Sequence, residues 1–320
     1  MNEVLETSEW VSRRSLHVQI DEEALSQFAE DLIRYDPTIP PWDDKVHFFD
    51  GGTRSVAYLL VLDTLNFCFW PLPETPRWEV TIDSETFSGY YGLAASLKKA
   101  LLSGMPVWDA GYLVSLTMNG LEEILGGRGR LQLMHDRLQN LQELGRVLCE
   151  RFGGEPCRLV EASGGSALEL ARLLARNLAS FRDEASYHGK KIFFYKRAQI
   201  LAADLFGAFE GRGWGRFSDM EELTAFADYK LPQVLRRLGV FRYSPELARK
   251  IDSMTLIPAG SPEEVEIRAN TVWAVELIRQ ELSRAGKERR AYEIDWILWN
   301  LGQDDTFREK PYHRTVTIYY

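Results

Sequence analysis

The segment from Phe226 to Val240, FADYKLPQVLRRLGV, sets a carboxylate, Asp228, between the aromatics Phe226 and Tyr229. A helix is predicted to start directly after it, near Pro232. Proline suits a first helical turn because the N–H it lacks would have no partner there. Leu231, Val234, Leu235 and Leu238 fall on one helical stripe, and Gly239 supplies a stop. A carboxylate at a helix N-terminus sits at the positive end of the helix dipole and can accept backbone N–H bonds. Both effects favour its ionised form. Walled by aromatics, such a group suits a reaction whose transition state gains positive charge beside it. A plain capping role for Asp228 would account for the same residues.

A second constellation is HFFDGGTRSVAYLLVLDTLNFCFWP, from His47 to Pro71. His47, Phe48, Phe49 and Asp50 precede Gly51-Gly52, where the backbone can turn sharply or approach a ligand. Asp63, Asn66, Phe67 and Trp70 lie within an apolar, strand-like run from Ala57 to Trp70. A buried amide such as Asn66 needs partners, since leaving it unpaired costs roughly 1–3 kcal/mol. A flat heterocycle stacked on Phe or Trp, read at its edge by Asp and Asn, would meet that need. A tight turn at Asp50 and a plain aromatic core is the competing account.

The third is KKIFFYKRAQILAADLFGAFEGRGWGRF, from Lys190 to Phe217. Lys196 and Arg197 open a helix there, and cations at a helix start oppose the dipole and ask for an anion. A substrate phosphate would serve. Asp204, on nearly the same helical side, would serve equally, as would simple solvation of the lysines. GRGWG is too loosely spaced, with no strand before it, for a phosphate loop. Glu293, Asp295, Trp296, Tyr312, His313 and Arg314 are expected to be structural.

The elements that must position these residues are mostly helical. Helices are predicted from Asp21 to about Tyr35, over Leu131–Phe152, from Ser166 to about Phe181, and from Tyr195 to about Phe209. Others open at Ser218 (with Glu221 at capping-box spacing), at Ser244-Pro245 and at Ser261-Pro262, the last running to about Ala285, and one covers Tyr292–Leu301. Besides the run ending at Trp70, RWEVTI near Trp78 and the closing TVTIYY alternate as strands do. The expected fold is mainly α with a small sheet, an α+β chain. It forms one unit over 1–320, or a sheet-containing part, 1–125, and a helical part, 126–320.

Composition bounds the function. Of 320 residues, 45% are hydrophobic and 12% aromatic, enough for a sizeable core, and the net charge is −9. An acidic total argues against a long nucleic-acid partner, which calls for a basic face, and favours a small substrate. Three separated cysteines and five scattered histidines give no disulfide framework and no metal-ligand spacing. No cofactor or metal is expected. The acidic, polar N-terminus is unlike a secretory signal, and no apolar run approaches the ~20 residues that span a bilayer. A cytoplasmic location, away from membranes, is expected, and oligomeric state is left open.

Taken together, HFFDGGTRS, DTLNFCFW, FYKRAQIL and FADYKLPQ, in this order, resemble the queuosine salvage protein family, from about Trp10 to the closing tyrosines. The resemblance implies a helical body similar to helix–hairpin–helix DNA glycosylases. It implies hydrolysis of the N-glycosidic bond of queuosine 5′-monophosphate, releasing queuine, a 7-deazaguanine base, for tRNA modification. Asp228 is implied as the catalytic carboxylate and Lys196 as part of the active site. The His47–Asp50 and Asn66–Trp70 segments are implied to bind the base. No clear Gly–apolar–Gly hairpin is present, which argues against duplex DNA. On this basis Lys196, helped by Arg197 or Lys230, is the candidate for the 5′-phosphate, and Asp50 for the cationic amine of the base. The substrate-contacting set is thus His47, Phe48, Asp50, Asn66, Phe67, Trp70, Arg197, Asp204, Tyr229 and Lys230. A base-repair glycosylase and a non-catalytic nucleotide-binding protein are the alternative functions.

Overall fold

The computed structural model describes residues 2–39, 41–72 and 74–320. Among them the regular structure is fourteen α-helices with three two-stranded antiparallel pairs, so the chain is mainly α with a small β component. The pairs are Val18–Ile20 with Phe241–Tyr243, Glu79–Ile82 with Glu85–Ser88, and Glu184–Tyr187 with Lys190–Phe193. The RWEVTI strand thus exists, as one arm of a hairpin.

The run from Ala57 is not a strand. Thr53–Leu65 is a helix in which every residue from Ser55 to Leu65 is buried. A helix surrounded on all sides is apolar on all sides, and so loses the amphipathic period that separates it from a buried strand. It lies against Met134–Phe152 on one side and Lys196–Ala208 on another. The closing TVTIYY also forms no strand: its neighbour Arg314 makes a single bridge with Leu256, and the backbone N–H of Cys68 donates to the carbonyl of Tyr320 at 2.9 Å.

Most predicted helices are present. Asp21 caps Glu22–Tyr35 by accepting from the N–H of Ala24, Ser244 caps Pro245–Asp252, and Ser261 caps Pro262–Arg284. Three boundaries differ. The long helix starts at Met134 because Leu133 takes a left-handed conformation. The Ser166 helix ends at Asn177, and a separate 3₁₀ turn covers Ala179–Phe181. Ser218 caps nothing: its hydroxyl donates to the carbonyl of Gly165, and only a 3₁₀ turn, Met220–Glu222, follows.

The first helix, Glu3–Ser12, packs along Pro262–Arg284. The buried side chains gather in two large clusters, one around Thr53–Leu65 and Lys196–Ala208, the other around Lys230–Arg237 and Pro262–Arg284. No helix among the described residues is long and apolar enough to cross a membrane.

Candidate active site

Lys196 begins its helix immediately after Tyr195, which has a φ of 49°. Cys68, inside the Asn66–Trp70 segment, has a φ of 47°. A left-handed non-glycine residue costs on the order of 1–3 kcal/mol and persists where the surroundings over-determine it. Here buried Arg137 does so for the Asn66–Trp70 segment, and buried Arg197 holds the end of the helix before it. Arg137 donates to the carbonyls of Phe67 (2.6 Å) and Cys68 (3.3 Å), and its guanidinium lies 4.2 Å from the Phe67 ring centroid. Arg197 donates to the carbonyls of Asp63 and Thr64, each at 2.7 Å, and to that of Ser180. Among the described residues neither has a carboxylate hydrogen bond; burial lowers the pKa of Arg137 to about 9 and that of Arg197 to about 10.

The segments supported in this way open onto a cavity of about 820 Å³. Asp228 lines it, 8% exposed. Its Oδ1 accepts the N–H groups of Lys230 (2.7 Å) and Leu231 (3.0 Å) at the start of the helix Lys230–Arg237. The capping geometry expected of it is therefore present, and so is the cavity. The electrostatic expectation is corrected. Burial outweighs the Lys196 charge and the two N–H bonds, so the Asp228 pKa is raised rather than depressed.

Lys196 is buried, and the charges that favour its protonated form are those of Asp228, Asp63 and Asp295. Burial nevertheless lowers its pKa. Asp295 accepts the N–H of Phe226 at 2.7 Å, and burial followed by repulsion from Asp228 pushes its pKa well up. Asp63 is raised to about 7 by burial, and Asp204 is raised well above the carboxylate range by burial and by Asp63. Lys196 thus faces four acids, with Arg197 adding its charge at Asp63 and Lys230 at Asp228. Without a cationic guest, protons must neutralise part of this set.

His47 places Nδ1 2.8 Å from the carbonyl of Asp43, which can only accept, so Nδ1 carries the proton. Its Nε2 then accepts from the Tyr90 hydroxyl at 2.9 Å, and Asp204 Oδ2 stands 3.5 Å from the same hydroxyl. A tyrosine has one proton to give, so a hydrogen bond to both neighbours at once requires Asp204 to be the donor, and hence neutral.

A further part of the lining is cationic. Lys230 reaches the carbonyl of Gly302 at 3.3 Å and Arg308 reaches the same oxygen at 3.1 Å. Burial and the Arg308 charge lower the Lys230 pKa to about 8. Arg314 lies 5.5 Å from the Trp70 ring centroid, and its buried Nε has no hydrogen-bond partner among the described residues. The Tyr229 and Tyr312 rings, 4.8 Å apart, line the same cavity.

Of the twelve residues assigned to the site from the sequence, His47, Asn66, Phe67, Trp70, Lys196, Asp204, Asp228, Tyr229 and Lys230 line this cavity. Three do not. Phe48 packs against Tyr58 in the core. Asp50 accepts from Ser55 Oγ (2.7 Å) and the N–H of Gly52 (2.8 Å), holding the turn into the helix Thr53–Leu65. Arg197 is spent on backbone carbonyls. Conversely Asp295, Trp296, Tyr312 and Arg314, expected to be structural, line the cavity, together with Trp299, Tyr90 and Arg308, which drew no attention. The spacing of Asp295, Trp296 and Trp299 would have been a signal, because Trp299 is the i+4 neighbour of Asp295 and the i+3 neighbour of Trp296 on the helix surface.

The model of the family described as queuosine salvage protein matches residues 46–320 of this chain. Three relatives bear the name queuosine 5′-phosphate N-glycosylase/hydrolase. The protein from Sphaerobacter thermophilus is 46% identical over 317 residues, covering 99% of this chain and 97% of its own length. That from Dictyostelium discoideum is 40% identical, covering 99% and 98%. That from Mus musculus is 35% identical, covering 98% of each. Matches this long, on a chain whose cavity is built from the segments that carry the resemblance, leave one conclusion: the chain belongs to the queuosine salvage protein family.

Proposed function

We infer that this chain hydrolyses the N-glycosidic bond of queuosine 5′-phosphate and releases queuine for salvage into tRNA modification. The observation that carries the reading is the buried pair Asp228 and Lys196 in a cavity with aromatic and cationic walls. Its volume of about 820 Å³ is in the range of small-ligand sites.

Breaking the bond from ribose to base develops oxocarbenium character on the sugar, as in other glycoside hydrolyses. A carboxylate beside that carbon stabilises it most where water is excluded. Asp228 supplies the group, aimed by two backbone N–H bonds and faced by Lys196. Its raised pKa fits the role, because a carboxyl that burial holds back from ionising gains most from a positive charge forming next to it.

The division of the remaining wall follows its chemistry. Phe67, Tyr90, Trp296 and Trp299 offer rings for a flat base, and Asn66 and Asp204 offer polar edges. Lys230, Arg308 and Arg314, with Arg77 nearby, suit the 5′-phosphate. This moves the phosphate from Lys196, which sits among carboxylates, to the cations around Gly302. The test is mass spectrometry of products from the purified protein and queuosine 5′-phosphate. Free queuine and ribose 5-phosphate are expected, and saturable binding without either product would overturn the reading.

A further inference from the structure

A second carboxyl shares the cavity with Asp228. Asp295, on the helix Ala291–Leu301, lines the same space and is 3% exposed. Its Oδ1 is committed to the N–H of Phe226 at 2.7 Å, two residues before Asp228. That bond fixes the carboxyl plane and ties it to the segment carrying Asp228. Its Oδ2 is the oxygen that this bond leaves uncommitted, on a residue that lines the cavity.

The two carboxyls stand in different surroundings. Asp228 takes two N–H bonds at a helix start and the largest share of the Lys196 charge. Asp295 takes one N–H bond, and the charged groups that face it are Asp228, which repels its anion, and Lys196, which favours it. Two acids whose environments separate them in this way divide into an anion and a neutral proton donor. A 7-deazaguanine base gives such a donor a task, since it lacks the ring N7 that in a purine can take up a proton before departure.

We propose that Asp295 is the acid that protonates the departing base and then the base that receives the proton of the attacking water. This rests on the hydrolytic reading above. The C1′–N bond breaks and its electron pair leaves with the base, whose nitrogen takes the proton from the Asp295 carboxyl. The ribosyl cation forms against the Asp228 carboxylate. Water then bonds to C1′ and passes its proton to the Asp295 carboxylate, which restores the starting state. Queuine and ribose 5-phosphate are the products, and atoms and charge balance.

Asp295→Asn is the discriminating variant, because its amide oxygen still accepts the N–H of Phe226. Two substrates are compared: queuosine 5′-phosphate, and 4-nitrophenyl β-ribofuranoside 5-phosphate, whose leaving group departs without a proton. The expected loss in kcat is roughly 10²–10⁴-fold on the first and little on the second, while Asp228→Asn loses heavily on both. Asp295→Glu, which keeps an acid, should recover part of the loss on queuosine 5′-phosphate only. Equal losses from Asp295→Asn on both substrates would overturn the proposal and leave Asp295 as a tether. Wild-type protein that releases no queuine would instead refute the hydrolytic reading.

Discussion

Arg268 binds Asp183 through two parallel hydrogen bonds of 2.8 and 2.6 Å, both residues being almost wholly buried. The remaining Nε of Arg268 donates to the carbonyl of Ala227 at 3.1 Å, one residue before Asp228. Asp183 Oδ2 in turn accepts the N–H of Lys196 at 3.1 Å. One guanidinium, through Asp183, therefore joins the start of the Lys196 helix to the irregular segment that delivers Asp228.

Breaking this pair should act on rate as well as stability. Removing one partner of a buried ion pair costs about 3–5 kcal/mol. Arg268→Ala is accordingly expected to melt at a much lower temperature. Arg268→Lys keeps the charge and loses the fork. It should fold, bind substrate with nearly unchanged KM, and lose up to roughly 10²-fold in kcat through misplacement of Lys196 against Asp228. Steady-state kinetics on folded protein, checked by calorimetry, measures both.

Asp228→Asn preserves an oxygen for the N–H groups of Lys230 and Leu231 but removes the charge. A loss in kcat on the order of 10²–10³ is expected. Queuine titrated against tryptophan fluorescence should still bind. A variant turning over at the wild-type rate would remove Asp228 from the chemistry.

Lys230 and Arg308 meet at the carbonyl of Gly302 and are assigned to the phosphate. Lys230→Ala and Arg308→Ala should raise KM for queuosine 5′-phosphate while changing KM for the free nucleoside little. The Lys230 pKa of about 8 adds a pH signature. Its charge is present below that value and lost above it, so KM for the phosphate should rise as pH climbs past about 8. A flat KM from pH 7 to 9 would contradict the assignment.

Asp63 gives a stability prediction with its own sign. Its folded pKa of about 7 lies above the ordinary value of 3.8, so the folded state holds a proton that the unfolded chain releases between these limits. Stability from this group is complete at low pH and is lost as pH rises from about 4 to 7. Asp63→Asn needs no proton, and should raise the melting temperature at pH 8 by a few degrees while leaving it nearly unchanged at pH 4. Thermal melts of both proteins across that range decide it.

The helices were legible where local rules act. Asp21, Ser244 and Ser261 cap the helices their side chains announce, because a cap needs only the N–H groups two or three residues away. Thr53–Leu65 was not, because burial on every face erases its period. TVTIYY alternates like a strand, yet among the described residues no strand pairs with it, and the carbonyl of Tyr320 accepts from Cys68 instead. Asp50 and Asp204 show the same division within the site. Each is an acid near aromatics in the sequence; the turn at Gly52 takes one, and the cavity receives the other.

By itself the sequence determined the family and the helical class, and it put forward Asp228 and Lys196 for the centre of the chemistry, because those are written in contiguous peptides. Only the tertiary structure decided that Asp295 stands with Asp228, that Arg197 is spent on carbonyls, and that the cations gather at Lys230 and Arg308. Burial and charge at a point in space depend on every chain segment that reaches it. The raised pKa of Asp228 is the clearest case: its own helix start argues for an anion, and the segments that enclose it reverse the balance.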